Sequence, residues 1–404
     1  MNRVIILDPE RRQKAMRSLN GRRLKNRLFV WFCVATALAS VLVLVVLLGA
    51  IVSQGLSHFN LGFLMSPPSP DADRAGISPA LWGTVFVCLV CALSTLPIGV
   101  ATAIFLHEYQ PKNRYVRMFH HFVQINISNL AGVPSVVYGI IGLTAFVGMF
   151  NLFGNPMHPS WEMGVDYYDQ YLAESSAEDV VLLIPVERSD APPAELEDGM
   201  TVETPQGETV VLNVIGPRDP LPADAQLRKR TLRADAEGGR ISKKSWYYLR
   251  LPFGRSVLAA GLTLMLVVLP IQIISAQEAL TAVPDSLRDG ALGLGATRWQ
   301  TIRRVTLPAA IPGILTGSII AMSRAIGEAA PILMIAGIVY ISSAPGNLMD
   351  DFTVMPLQIY NWAQRPQHEF HEVAATGIIV LLAVLLLFNA FAVFLRQRLE
   401  KPLS

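Results

Sequence analysis

Six apolar blocks constrain this chain more than any other feature: about Phe29 to Val52, Pro79 to Leu106, Phe122 to Phe150, Gly254 to Ser275, Ala309 to Tyr340 and Val373 to Leu395. A helix needs roughly 20 apolar residues to cross a bilayer core, and an open sheet cannot cross because its edge would leave backbone groups unpaired in hydrocarbon. Each block meets that length, which predicts an all-α integral membrane protein with six transmembrane helices. Several blocks exceed the minimum, which predicts tilted or broken helices. Only 16% of the 404 residues are charged, against about a quarter in soluble domains. The first block is too long for the core of a signal peptide and no clean small-residue cleavage site follows it, so it reads as a retained span.

Charge then orients the spans. Basic residues near span ends stay in the cytoplasm. Nine lie in residues 1–28, three in the second-to-third loop, four in the fourth-to-fifth loop and three after the sixth span. The two short outer loops hold one each, Arg74 and Arg365. Nineteen against two fits six spans with both termini cytoplasmic. Anionic lipid and topology explain the basic N-terminus without nucleic acid.

Residues 151–252 depart from this pattern, with 17 acidic and 10 basic residues. They must lie outside, and a loop this long is exempt from the charge rule. The segment reads as a small α+β inserted domain. Val180 to Val186 suggests a strand, and Met200 to Ile215 a hairpin turning at Pro205, Gln206 and Gly207. Tyr167, Tyr168 and Tyr171 suggest a helix at the membrane surface, and residues 217–240 a charged linker. The expected organisation is a basic N-terminus over 1–28, spans one to three over 29–150, the inserted domain over 151–252, spans four to six over 253–396 with a cytoplasmic loop at 276–307, and a tail over 397–404.

That loop is the most informative stretch. From Asp289 to Pro308 it reads Asp-Gly-Ala-Leu-Gly-Leu-Gly-Ala-Thr-Arg-Trp-Gln-Thr-Ile-Arg-Arg-Val-Thr-Leu-Pro. An amphipathic helix, a turn that glycine permits and a second, basic helix would form a knob able to seat on a partner and pass on its motion. Nowhere does the chain carry Gly-x-x-x-x-Gly-Lys-Ser/Thr, the loop that cradles ATP phosphates. The glycines at 290, 293 and 295 are no dinucleotide fingerprint, since no strand precedes them.

The loop resembles the cytoplasmic signature of ABC importer permeases, Glu-Ala-Ala, three residues, Gly, nine residues, Ile, one residue, Leu-Pro. Asp289, Gly290 and Ala291 take the first three places, Gly295 the glycine, Val305 the Ile, and Leu307 and Pro308 close it. Asp for Glu and Gly for Ala are mild departures. Residues 129–139 (Asn-Leu-Ala-Gly-Val-Pro-Ser-Val-Val-Tyr-Gly), 324–331 (Arg-Ala-Ile-Gly-Glu-Ala-Ala-Pro) and 356–363 (Pro-Leu-Gln-Ile-Tyr-Asn-Trp-Ala) are similar to the PstA type of phosphate-uptake ABC permease. The resemblance covers all six spans and leaves residues 151–252 outside it. It implies a permease of the bacterial inner membrane, paired with a sister permease, two copies of an ATPase that holds ATP and its magnesium, and an extracytoplasmic phosphate-binding protein. It implies no cofactor on this chain, and an ATPase-docking role for Asp289, Gly290, Ala291, Gly295, Arg298, Leu307 and Pro308. Permeation of another oxyanion such as sulfate or molybdate, and a non-transporting scaffold or sensor docked to an ATPase, are the alternatives.

Two ionisable residues, Arg324 and Glu328, fall within a span, with Arg255 at the outer edge of the fourth. A charge at mid-bilayer costs ~2.5–3.5 kcal/mol or more, so it usually marks a pathway or a pair. Arg324 stands about 24 Å beyond Pro308 along a helix, and a guanidinium suits an oxyanion. The two residues are expected in the substrate path, with a packing salt bridge as the alternative. His368 to Glu372 matches no zinc motif. The sequon at Asn126 lies at a span edge, and Pro97, Pro134, Pro270 and Pro331 read as kinks within spans. Cys33, Cys88 and Cys91 read as packing residues.

Overall fold

The structure, a computed structural model, describes residues 9–109, 113–155, 158–168, 171–175, 181–185, 200–203, 209–215, 225–227, 232–234, 241–337 and 340–399. The basic N-terminal stretch and the first apolar block form one 47-residue helix, α1 (Pro9–Gly55). There follow α2 (Leu61–Met65), α3 (Ser78–Glu108), α4 (Arg114–Leu130) and α5 (Ser135–Gly142), the last extended by a wide turn to Val147. After the insertion come α6 (Val257–Thr281), α7 (Asp285–Gly293), α8 (Arg298–Thr301), α9 (Leu307–Gly327), α10 (Ala330–Ala336), α11 (Met355–Ala363) and α12 (His368–Leu399).

Among the described residues, five helices are long and apolar enough to cross a membrane, and α4 with α5 makes a sixth only as a pair bent by 112°. The bend falls at residues 131–134. Pro134 cannot continue a helix and forces Val133 out of helical backbone. Its ψ of 135° caps the start of α5 instead. Pro331 likewise sits in the first turn of α10, after the fifth apolar block has broken at Glu328 and Ala329. Two of the four singled-out prolines therefore begin helices; Pro97 and Pro270 lie inside α3 and α6.

The core is built around α6. Val87, Val90 and Cys91 of α3, Ala260, Leu264 and Val268 of α6, and Ala321, Met322 and Ala325 of α9 are buried together. In lipid such contacts are held by close packing rather than by a hydrophobic drive between helices, so small residues sit at the crossings. At Gly317 of α9 an added Cβ would come within 2.3 Å of the Ser275 Cβ of α6. Cys88 packs in the same core, whereas Cys33 lies on the exposed face of α1. On the far side from α7, Trp362 and Met355 of α11 pack with Phe63, Ile77, Phe370 and Val373. Amides of Val257 and Leu258 donate to Asp350 O (3.3 Å) and Leu348 O (2.9 Å), tying that rim to the start of α6.

The described part of the insertion consists of strands: β1 (Gly154–Asn155), β2 (His158–Pro159), β3 (Trp161–Tyr168), β4 (Tyr171–Ser175), β5 (Val181–Pro185), β6 (Met200–Glu203), β7 (Thr209–Ile215), β8 (Ala225–Leu227), β9 (Leu232–Ala234) and β10 (Ile241–Leu251). They pair in the orders β1-β2, β3-β10-β9 and β6-β7-β4-β5-β8. The hairpin reading holds, with Met200 opposite Leu212 and Glu203 opposite Thr209. Its turn at 205–207 lies outside the described residues. The strand expected near 180–186 is β5. The tyrosine helix is corrected: Tyr167 and Tyr168 end β3 and Tyr171 opens β4, as aromatic side chains fit a pleated surface. The linker reading is corrected at β8 and β9, which fall inside it.

Candidate coupling and substrate-path site

The knob is assembled by local chemistry. Helix α7 ends because Gly295 takes a φ of +84°, a left-handed backbone that glycine enters without a Cβ penalty. Gly295 N–H donates to Leu292 O (2.9 Å) and Ala296 N–H to Ala291 O (3.1 Å), the paired bonds of a Schellman C-cap. Two residues on, Thr297 restarts the helix. Its hydroxyl accepts from Gln300 N–H (3.3 Å), while Gln300 Oε1 accepts from Thr297 N–H (2.9 Å), a reciprocal capping box.

The second helix is not the short free helix that the sequence suggests. It runs on as the fifth span, Arg298 to Gly327, through a widened turn at Ile302–Thr306. Pro308 lacks the N–H that would bond to Arg304 O, and Leu307 N–H reaches back to Ile302 O across the widened turn. Pro308 thus follows directly on the widened turn, whose shifted hydrogen bonding accommodates the missing donor within the continuous helix.

Asp289, Gly290 and Arg298 are exposed and Ala291 is half-buried. Beside them the tip presents apolar side chains to solvent: Leu294 is 92% exposed and Trp299 56%. Such a tip on a charged loop is the kind of patch that marks a protein contact. Leu307 is half-buried and Pro308 exposed, at the root of the knob.

Sequence reasoning used Arg288 only as a topological charge, and the structure gives it more to do. Its Nη1 donates to Asp285 Oδ1 (2.7 Å) and Val283 O (2.9 Å), and its Nη2 to Leu280 O (2.6 Å) and Glu108 Oε1 (3.3 Å). The guanidinium thereby joins the end of α3, the end of α6 and the start of α7. An arginine one place before the signature was the visible signal; its partner 180 residues earlier was not. Nearby, Gln124 of α4 and Gln277 of α6 exchange amide hydrogen bonds of 2.9 and 3.2 Å.

At the other end of the fifth span, Arg324 lies in the last turn of α9. Glu328 caps that helix with ψ 108°, already outside helical backbone. The two still pair, Arg324 Nε to Glu328 Oε2 at 3.5 Å, with Arg324 46% exposed and Glu328 16%. The neighbouring Ser323 hydroxyl donates to Asn389 Oδ1 (2.6 Å), fixing α9 to α12. Tyr138 of the matched 129–139 segment donates to Leu130 O (2.7 Å) across the α4–α5 bend. Arg255 lines a separate cavity of about 70 Å³ with Asp351, Phe352, Ile341 and Ala336. His371 meets Arg365 O (3.0 Å) through Nε2, and among the described residues no group of three or more His, Cys, Asp or Glu is placed to hold a metal.

The family model described as "Binding-protein-dependent transport system inner membrane component" matches residues 95–401. The probable ABC transporter permease protein YqgI of Bacillus subtilis is 23% identical over 374 residues, covering 90% of this chain and 92% of that relative. The phosphate transport system permease protein PstA of Mycobacterium leprae is 38% identical over 152 residues, covering 37% of this chain and 49% of that relative. The phosphate transport system permease protein PstC of Mesorhizobium japonicum is 24% identical over 313 residues, 76% of this chain and 71% of that relative. Against the PstA relative, then, the match spans about half its length. A match over three quarters of the chain makes this chain a member of the family of binding-protein-dependent ABC importer permeases.

Proposed function

We propose that the chain is the PstA-type subunit of an importer for inorganic phosphate in a bacterial inner membrane, with the knob and both termini on the cytoplasmic side. A permease of this family works with a separate ATPase, a substrate-binding protein and a second permease. In this reading the second permease is a PstC-type sister, ATP and magnesium stay on an ATPase dimer, and the binding protein delivers phosphate to the opposite face.

The observation that carries the reading is the Arg324–Glu328 pair. It sits at the far end of the helix that begins in the knob, exposed in the isolated chain on Arg324's side. A guanidinium offers a planar fork to an oxyanion, and attraction is stronger there than in water. Binding must also be weak enough for release, and Glu328 competes for the same guanidinium. Nucleotide closure moves the knob, the fifth span moves with it, and the pair opens for phosphate. The stronger identity to PstA over part of the chain supports phosphate as the cargo.

The test is reconstitution of the chain with its sister, ATPase and binding protein in liposomes, with ATP-dependent phosphate uptake measured against sulfate and molybdate. Phosphate uptake unaffected by either competitor is expected. Uptake of sulfate or molybdate in its place would reassign the cargo, and ATP hydrolysis with no ion moved would favour a scaffold.

A further inference from the structure

We infer that Arg288 is a positioning residue that clamps the knob to the second and fourth spans, so that both travel with the knob as one body. The inference rests on the coupling role proposed above and deepens it. In a chain of this kind the fifth span needs no such device, because it grows directly out of the knob. The second and fourth spans have no comparable continuity, since α3 and α6 both end before α7 begins.

Arg288 supplies it. The carbonyls of Leu280 and Val283 belong to the last turn of α6 and the bend after it, at the negative end of the helix dipole; Leu280 O already takes Val283 N–H at 3.3 Å and accepts Arg288 in addition. One guanidinium covers both. Its other contacts are the Asp285 carboxylate at the start of α7 and the Glu108 carboxylate at the end of α3. Arg288 and Glu108 are 14% and 13% exposed, so the pair is only weakly screened. His107 Nδ1 lies 3.1 Å from the same Glu108 oxygen and holds that carboxylate in place.

Four acceptors from three elements need donors spread across a plane. Arginine has five in a fixed fork, whereas lysine has three on one atom and cannot reach all four. The clamp is therefore graded by chemistry. Arg288→Gln loses it, Arg288→Lys keeps the ion pair with one carboxylate, and Glu108→Gln keeps the carbonyl contacts while weakening only the tie to α3.

The experiment uses the whole complex in lipid nanodiscs and liposomes, with Cys33, the exposed cysteine, replaced by serine. Spin labels go on Gly293→Cys, where added atoms meet open space, and on exposed Ala101→Cys of α3. With Arg288 intact, the label distance should be narrow and the same in nucleotide-free and ATP-trapped states. Arg288→Gln should broaden it and lower uptake per ATP hydrolysed roughly tenfold, within the usual range of coupling between sites. Arg288→Lys should fall between, and Glu108→Gln closer to the parent. A shift of more than about one helix turn, ~5 Å, between states with Arg288 intact overturns the clamp. So does an Arg288→Gln complex with parental distance and uptake. Should Arg288→Gln fail to assemble, the Lys and Glu108 variants decide, and parental behaviour in both overturns it. The distance needs neither phosphate nor coupled transport, so its failure is separable from failure of the functional reading.

Discussion

The knob and the insertion both interrupt the membrane body, and they are attached in opposite ways. The knob is joined by a continuous helix on one side and by Arg288, with four hydrogen bonds, on the other. The insertion leaves and returns through one antiparallel ribbon, β3 against β10, closed at its base by Ser160 N–H to Leu251 O (3.1 Å) and Gly254 N–H to Val147 O (3.1 Å). On the proposed reading, the segment that passes on motion is the one fixed at both ends to different spans. A segment whose two ends are fixed to each other puts no such demand on the spans. The first kind is legible as a motif, because its turn chemistry is dictated; the second tolerates many sequences.

Substitutions along the knob-rooted span should therefore cost much more than removal of the insertion. The largest effect is expected at Arg324: Arg324→Gln should lower phosphate uptake at least about a hundredfold while the complex still purifies with its ATPase. Arg324→Lys should cost roughly tenfold, since the fork is lost though the charge is kept. Normal uptake by Arg324→Gln, or failure to assemble, would make the pair a packing device.

Next comes Gly295→Val. A β-branched residue at φ +84° is strained by about 1–2 kcal/mol, which disfavours the turn that aims the tip. Uptake per ATP should drop roughly ten- to a hundredfold, and an unchanged ratio would remove the knob from the coupling path. Thr297→Ala removes one cap hydrogen bond, worth about 1 kcal/mol. Faster amide exchange at Gln300 and Thr301, with uptake down less than about fivefold, is the expected outcome. Protected amides would show that the cap is dispensable.

The smallest effect should follow excision of 169–240. Tyr168 and Ile241 face each other in the ribbon, so an Asn-Gly turn can close the gap. Uptake at saturating phosphate should be unchanged. At limiting phosphate a loss of about two- to fivefold would mean that the domain helps dock the binding protein, and no loss would mark it as a tolerated insert. Loss at saturating phosphate would erase the contrast between the two regions.

Much of this was legible beforehand. Apolar length gave the spans, and fixed spacing gave the signature whose turn is Gly295. Spacing of four placed Arg324 beside Glu328, although the structure ends the helix between them. Pro134 marked a kink in the third span, but hydropathy reports which residues tolerate lipid and says little about direction, so the 112° of that bend could not be read. Tyr167 and Tyr168 misled because aromatic residues suit both a membrane surface and a strand, and only the partner β10 settles which. Arg288 was missed for a related reason: its meaning lies in Glu108 and in two carbonyls, none of which the local sequence announces.

The widened turn at Ile302–Thr306 leaves Arg298 to Gly327 one helix, which on the proposed reading would act as a single lever arm. Thirty residues at 1.5 Å each give an arm of about 45 Å, and a tilt of about 5° at its base swings the tip by about 4 Å. Arg324 rides on that tip, whereas Glu328 hangs from the break beyond it. At Arg324, about 39 Å along the arm, the same tilt amounts to about 3.4 Å, comparable to the 3.5 Å contact itself. Because the helix that carries Arg324 stops before Glu328, a turn of the arm re-aims the first charge without turning the second by the same angle, and the break is the place where a rotation becomes a change in their contact.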